Sequence, residues 1–73
     1  MKTNNKSGRF NNMPIVQIEL LEGRTLEQKR AMVEKVTEAI SETANCPKEN
    51  VIIIIREMAQ QHLGKAGKLK CDQ

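Results

Sequence analysis

Residues 51–55 read Val-Ile-Ile-Ile-Ile, an unbroken run of β-branched side chains. A short run of this kind is typical of a β-strand buried on both faces, because alternate side chains of an extended chain point to opposite sides of the sheet. Such a strand needs apolar cover on each side. That cover must therefore come from the rest of the chain or from a partner.

A long amphipathic helix is predicted before this strand. Thr25 and Gln28 form the T-x-x-Q pattern of a capping box, which marks a helix start. Pro47 cannot continue a helix and disfavours helical backbone at the residue before it. We therefore predict a helix of about five turns over 26–44. Apolar residues recur along it at helical spacing, at Met32, Val33, Val36, Ala39, Ile40 and Ala44.

A first strand is predicted over 14–20, where apolar residues alternate with Gln17 and Glu19. Strand, helix and strand form a βαβ unit with parallel strands and a right-handed connection. Gly64 and Gly67 predict a turn or short hairpin at the end of the chain. The expected fold class is α/β (α+β): a single βαβ unit with two parallel strands, one long helix and a short C-terminal hairpin. One helix covers only one sheet face, so we expect the subunit to oligomerise through its sheet.

The length of 73 residues allows one domain with a marginal core, which is usually supported by disulfides, metals or oligomerisation. Cys46 and Cys71 form no disulfide framework, and neither cysteine lies at metal-ligand spacing from His62. We expect no metal and no cofactor. Self-association is the support that this composition favours.

The formal net charge of +3 is carried by Lys2, Lys6 and Arg9, whereas from Met13 onward basic and acidic residues balance. Without a basic face, and with Phe10 as the single aromatic residue, nucleic-acid binding is not expected. No apolar run is long enough for a membrane span or a secretory signal, so the cytoplasm is the expected compartment and no membrane partner is expected.

Residues 1–12 are polar, rich in asparagine and without periodicity, and the composition changes abruptly at Met13-Pro14. Two explanations remain open: residues 1–13 form a genuine, disordered basic arm, or translation starts at Met13 and the extension is misassigned. We favour the second explanation. Residues 14–73 are in either case the predicted domain.

Residues 14–25 read Pro-Ile-Val-Gln-Ile-Glu-Leu-Leu-Glu-Gly-Arg-Thr and are followed by Glu27-Gln28-Lys29. This stretch resembles the opening of the 4-oxalocrotonate tautomerase family, in which a proline begins the first strand and a Leu-Glu-Gly-Arg-Ser/Thr turn ends it. The resemblance extends over 14–73 without a gap. It includes Glu38-Ala39-Ile40-Ser41, Pro47, Ile54-Ile55, Glu57-Met58-Ala59, His62 and Gly64.

The resemblance implies a tautomerase that transfers a proton between carbon and an enol oxygen, on 2-hydroxydienoates or enolpyruvates. Its general base and acid is an N-terminal proline, which here is Pro14. A terminal secondary amine can have its pKa lowered by cations and apolar surroundings until it suits general acid–base catalysis, whereas the same nitrogen within a chain is an amide. The resemblance also implies a homohexamer, a trimer of dimers whose sites draw on neighbouring subunits.

The family pattern assigns substrate contacts to three further positions. Arg24 is expected to bind the substrate carboxylate, for which a guanidinium supplies a planar fork of donors. Ile52 stands where diacid-specific members carry a second arginine, and Leu63 stands where an aromatic residue often closes the apolar pocket. Arg56 shares the strand face of Ile52 but lies about 13 Å along it, too far to substitute within one subunit. A slow or monocarboxylate-directed enzyme is therefore expected.

Two other functions stay open. One is a hydrolytic lyase of the same superfamily, such as a dehalogenase or decarboxylase, although the extra acidic or arginine partners are not apparent. The other is an inactive structural or interaction oligomer in which Pro14 stays amide-bonded behind the extension. The remaining polar candidates have ordinary structural explanations. We expect an exposed or structural His62, a half-buried Cys46, an exposed Cys71, and solvated or ion-paired Glu22 and Glu57.

Overall fold

The computed structural model describes residues 13–73, so the predictions made for residues 1–12 lie outside the part described. Strand β1 spans Ile15–Leu21, helix α1 Leu26–Ala44 and strand β2 Ile52–Met58, followed by a hairpin of β3, Gly64–Lys65, and β4, Lys68–Leu69. Single 3₁₀ turns occupy Lys48–Asn50, Gln60–His62 and Lys70–Asp72. The predicted βαβ unit with a short C-terminal hairpin is confirmed.

Helix α1 has the predicted bounds because its start and its end are both encoded locally. The Gln28 N–H donates to Thr25 Oγ1 at 3.1 Å, and the Thr25 N–H donates to Gln28 Oε1 at 2.9 Å, which completes the capping box. At the other end Asn45 adopts the left-handed conformation, with φ 57°, and its N–H donates to the Ser41 carbonyl. Pro47 follows two residues later.

Strands β1 and β2 pair in parallel, with register running from Ile15 opposite Ile52 to Leu21 opposite Met58. Strand β2 was predicted over 51–55; it starts one residue later and continues three residues further. The strand continues through the charged residues Arg56 and Glu57, because both side chains form ion pairs with other elements. Arg56 lies 3.8 Å from the carboxylate of Glu19, its neighbour in the register, and Glu57 pairs with the helix.

The two faces of the sheet differ in exposure. Alternate residues on one face are half-buried, and Ile55 on that face lies beside helix residues such as Val33. On the opposite face Ile15 is 62%, Ile52 39% and Ile54 37% exposed. Within the protomer, the helix therefore covers one sheet face, and the apolar residues of the second face are in contact with solvent.

Cys46 is more buried than predicted, at 6% exposure, and is the buried hydrophobic residue of the described range. The chain folds back at the helix end, where two hydrogen bonds join Cys46 to Ser41. The Cys46 N–H donates to the Ser41 carbonyl at 3.2 Å, and the Ser41 hydroxyl donates to the Cys46 carbonyl at 2.5 Å. Among residues 13–73, no larger apolar side chain reaches such burial.

Within residues 13–73, no helix combines the length and the apolar character that a membrane span requires.

Candidate active site

Pro14 lies half-buried directly before β1, at the amino-terminal end of the sheet. Its carbonyl accepts a hydrogen bond from the Ile52 N–H at 3.0 Å, which places the first residues of the two strands side by side. The neighbouring Ile15 and Ile52 side chains are exposed on one sheet face. The structure thus brings together two of the predicted site residues, Pro14 and Ile52, beside exposed apolar side chains. We refer to this region as the proline end.

Arg24 lies in the turn between β1 and α1, at the opposite end of the sheet. The Glu22 N–H donates to the Met58 carbonyl at 2.8 Å, which attaches the turn to the end of β2. Gly23 has φ +128°, a conformation that side chains rarely adopt, so glycine suits this position for backbone reasons. The exposed Arg24 guanidinium donates to the Leu21 carbonyl at 3.4 Å, which leaves most of its donors available to a ligand.

Leu63 follows the carboxyl end of β2 and is half-buried. Its carbonyl accepts from the Lys70 N–H at 2.8 Å, and its own N–H donates to the Gln60 carbonyl at 3.4 Å. These contacts fix it between the Gln60–His62 turn and the last residues of the chain. We call the region containing Arg24 and Leu63 the arginine end.

Within one chain, the proline end and the arginine end do not meet. Strand β1 separates Pro14 from Arg24, and its seven residues span about 23 Å at the usual rise of an extended chain. A single small substrate cannot contact both residues of one protomer. If both act on one substrate, they must come from different subunits.

His62, Cys71, Glu22 and Glu57 have the exposure or the ion pairing that the sequence predicts. His62 and Cys71 are exposed, and Glu57 is paired with Lys29. Glu22 is exposed in the turn. Throughout 13–73, no three His, Cys, Asp or Glu side chains lie close enough together to hold a metal ion.

Sequence reasoning did not identify two features near the arginine end. One is the identity of the partner of Glu57, which is Lys29 at 2.8 Å. The other is an open apolar groove of about 470 Å³ between α1 and β2, lined by Leu26, Lys29, Arg30, Val33, Glu34 and Ile55. Helical spacing alone cannot show which lysine of α1 faces the strand that follows it, so no sequence pattern predicts Lys29 as the partner.

Comparison with known proteins identifies the family. A family model for tautomerase enzymes matches residues 14–73. A probable tautomerase of Bacillus cereus is 49% identical over 61 residues, which cover 84% of this chain and 100% of that protein. The 2-hydroxymuconate tautomerase of Bacillus subtilis is 50% identical over 60 residues, which cover 82% of this chain and 97% of that protein. The crystal structure of a homologue of 4-oxalocrotonate tautomerase matches with a TM-score of 0.80 at 48% identity, covering 82% of this chain and 98% of that one. The chain therefore belongs to the tautomerase family of isomerases, as its resemblance to the 4-oxalocrotonate tautomerases predicts.

Proposed function

We propose that the protein is a tautomerase that works without a cofactor on a small carboxylate of the 2-hydroxydienoate or enolpyruvate type. Pro14 removes a proton from one atom of the enol system and returns it to another. The observation that carries this proposal is the position of Pro14, which begins β1 beside Ile52 and next to exposed apolar side chains. In an assembly that covers these side chains, apolar surroundings disfavour a charged ammonium and lower the pKa of the amine toward the range useful for a general base.

The proposal requires that Pro14 carry a free amine, so the active chain begins at that residue. Residues 1–13 are then a misassigned extension or are removed, and 14–73 form the catalytic domain. Two comparisons support this boundary: the family model begins its match at residue 14, and 61 of the 73 residues here cover the whole Bacillus cereus relative. We place this enzyme in the cytoplasm.

Arg24 is proposed to bind the substrate carboxylate through the fork of its guanidinium. Leu63 supplies apolar wall, and Ile52 lines the pocket beside the amine. Because Ile52 brings no charge, stabilisation of the developing enolate must come from other groups; loss of one well-placed donor costs about 3–4 kcal/mol in known enzymes. A monocarboxylate enol suits this site better than a diacid.

The active form is proposed to be a homo-oligomer, a hexamer built as a trimer of dimers, with sites between subunits. Two observations support an assembly. The protomer leaves isoleucines of one sheet face exposed, and it places Pro14 and Arg24 at opposite ends of β1. Packing of subunits can bury these isoleucines, and it can bring Pro14 of one subunit close to Arg24 of another.

Ile54→Lys is expected to dissociate this assembly. Ile54 is 37% exposed in the protomer, so a lysine there costs little in an isolated chain. In an assembly that covers the face, the same lysine is an unpaired buried charge, a cost of several kcal/mol. Light scattering should report a smaller particle, and Glu42→Lys on the exposed side of α1 should leave its mass unchanged. An Ile54→Lys protein of unchanged mass would contradict an interface on this face.

The function is tested on protein whose intact mass shows that it begins at Pro14. We expect it to accelerate ketonisation of phenylenolpyruvate, with slower turnover of the diacid 2-hydroxymuconate, followed by ultraviolet absorbance. A correctly assembled protein that accelerates neither reaction would overturn the proposal. Discovery that the natural protein keeps residues 1–13 would instead favour the interaction oligomer with a blocked Pro14.

A further inference from the structure

Lys29 and Glu57 form an ion pair that joins the first turn of α1 to the carboxyl end of β2. The Lys29 Nζ lies 2.8 Å from the Glu57 Oε1, and the two side chains are 26% and 31% exposed. The neighbouring pair of Arg30 with Glu27 has the same 2.8 Å separation, but its side chains are 63% and 81% exposed. Because water and salt screen a shielded pair less, the Lys29–Glu57 contact restrains its two elements more strongly.

This ion pair closes a ring of contacts around the turn that carries Arg24. On one side the Glu22 N–H donates to the carbonyl of Met58, the residue directly after the paired carboxylate, at 2.8 Å. On the other side the Lys29 N–H donates to the Thr25 carbonyl at 3.1 Å, and Thr25 directly follows the arginine. The turn is thus held at one end by β2 and at the other by α1. The ion pair joins these two elements to each other.

The middle of the turn has few restraints of its own. Nothing lies within 4 Å of the position that a Cβ on Gly23 would occupy. The bond from the Arg24 guanidinium to the Leu21 carbonyl is 3.4 Å long, beyond the usual range for an N–H donor. The contacts at the two ends of the turn are therefore the main restraints on its backbone, and through it on the position of Arg24.

We propose that Lys29 and Glu57 are positioning residues for Arg24, which hold the turn so that its guanidinium meets the substrate carboxylate. This inference rests on the proposed function of Arg24. Loss of the pair should weaken carboxylate binding and should spare proton transfer, because the proline that shares a site with this Arg24 is proposed to come from a different subunit, where its own contact with Ile52 holds it. The pair is therefore expected to act on KM and not on kcat.

The kinetic test compares Lys29→Met with Arg30→Met, which breaks the exposed pair one residue away. For phenylenolpyruvate we expect Lys29→Met to raise KM about tenfold and to change kcat less than about twofold, since small misplacements of a binding group are costly. The uncharged methyl ester of the same enol should show no such rise. Glu57→Gln should reproduce the effect, Lys29→Arg should restore normal KM, and Arg30→Met should be unaffected.

A second measurement does not depend on activity. Amide hydrogen exchange at Glu22, whose N–H is bound to Met58, should be faster in Lys29→Met than in Arg30→Met. Unchanged exchange at this amide would overturn the inference whether or not the protein is active. Faster exchange with a KM equal to that of Arg30→Met would also overturn it, because the pair would then be structural only. If the exchange difference is seen but the wild-type protein has no tautomerase activity, the proposed function is wrong, and the positioning role that rests on it is wrong as well.

Discussion

A chain that retains residues 1–13 is expected to be about 10²–10⁴-fold less active than the same chain beginning at Pro14, the range that a positioned general acid or base contributes. In the longer chain the Pro14 nitrogen is part of a peptide bond and has no useful basicity. The fold should be the same in both, because the structural contact of Pro14 uses its carbonyl, which accepts from the Ile52 N–H in either form. The difference should therefore appear in kcat and leave thermal unfolding almost unchanged.

The control for this experiment is a chain that keeps only Met13, prepared by chemical synthesis so that no peptidase removes it. It blocks the amine of Pro14 with a single residue, whereas the full extension also adds twelve residues that could obstruct the site. Equal inactivity of both blocked chains would assign the loss to the amine. Full activity in the Met13 chain, verified by intact mass, would show that Pro14 is not the base.

The elements that were predicted to the residue are those encoded by neighbours along the chain. Helix α1 begins at a capping box whose two partners are three residues apart, and it ends shortly before Pro47. The end of β2 was missed because its continuation depends on residues distant in sequence. Arg56 has its partner Glu19 on the adjacent strand, and neither residue suggests a strand by itself.

The burial of Cys46 was underestimated for a different reason. The chain reverses here through two hydrogen bonds to Ser41, five residues earlier, and such a reversal has no periodic signature. The roles of Pro14 and Arg24 came from the family pattern, and no contact in the protomer could have supplied them. Their separation, in contrast, could be predicted, because one strand lies between them and an extended strand puts its two ends far apart.

Mixed oligomers should recover activity from two impaired proteins. One parent carries a blocked Pro14, through retention of Met13. The other begins at Pro14 but carries Arg24→Ala, which should reduce kcat/KM about thirtyfold, since a hydrogen bond to a charged group contributes about 2 kcal/mol. If each site takes its proline from one subunit and its arginine from another, random mixing in equal amounts leaves about a quarter of the sites with both groups intact.

The measurement is the ketonisation rate after the two proteins are unfolded together and refolded, with native mass spectrometry to verify that the subunits have mixed. A site contained within one subunit gives a different result, because every chain in the mixture then has one defect and no site is complete. Mixed particles with no gain over their parents would therefore refute a shared site. The distance along β1 argues for recovery, since a substrate of a few ångströms cannot bridge about 23 Å between the proline end and the arginine end of one protomer.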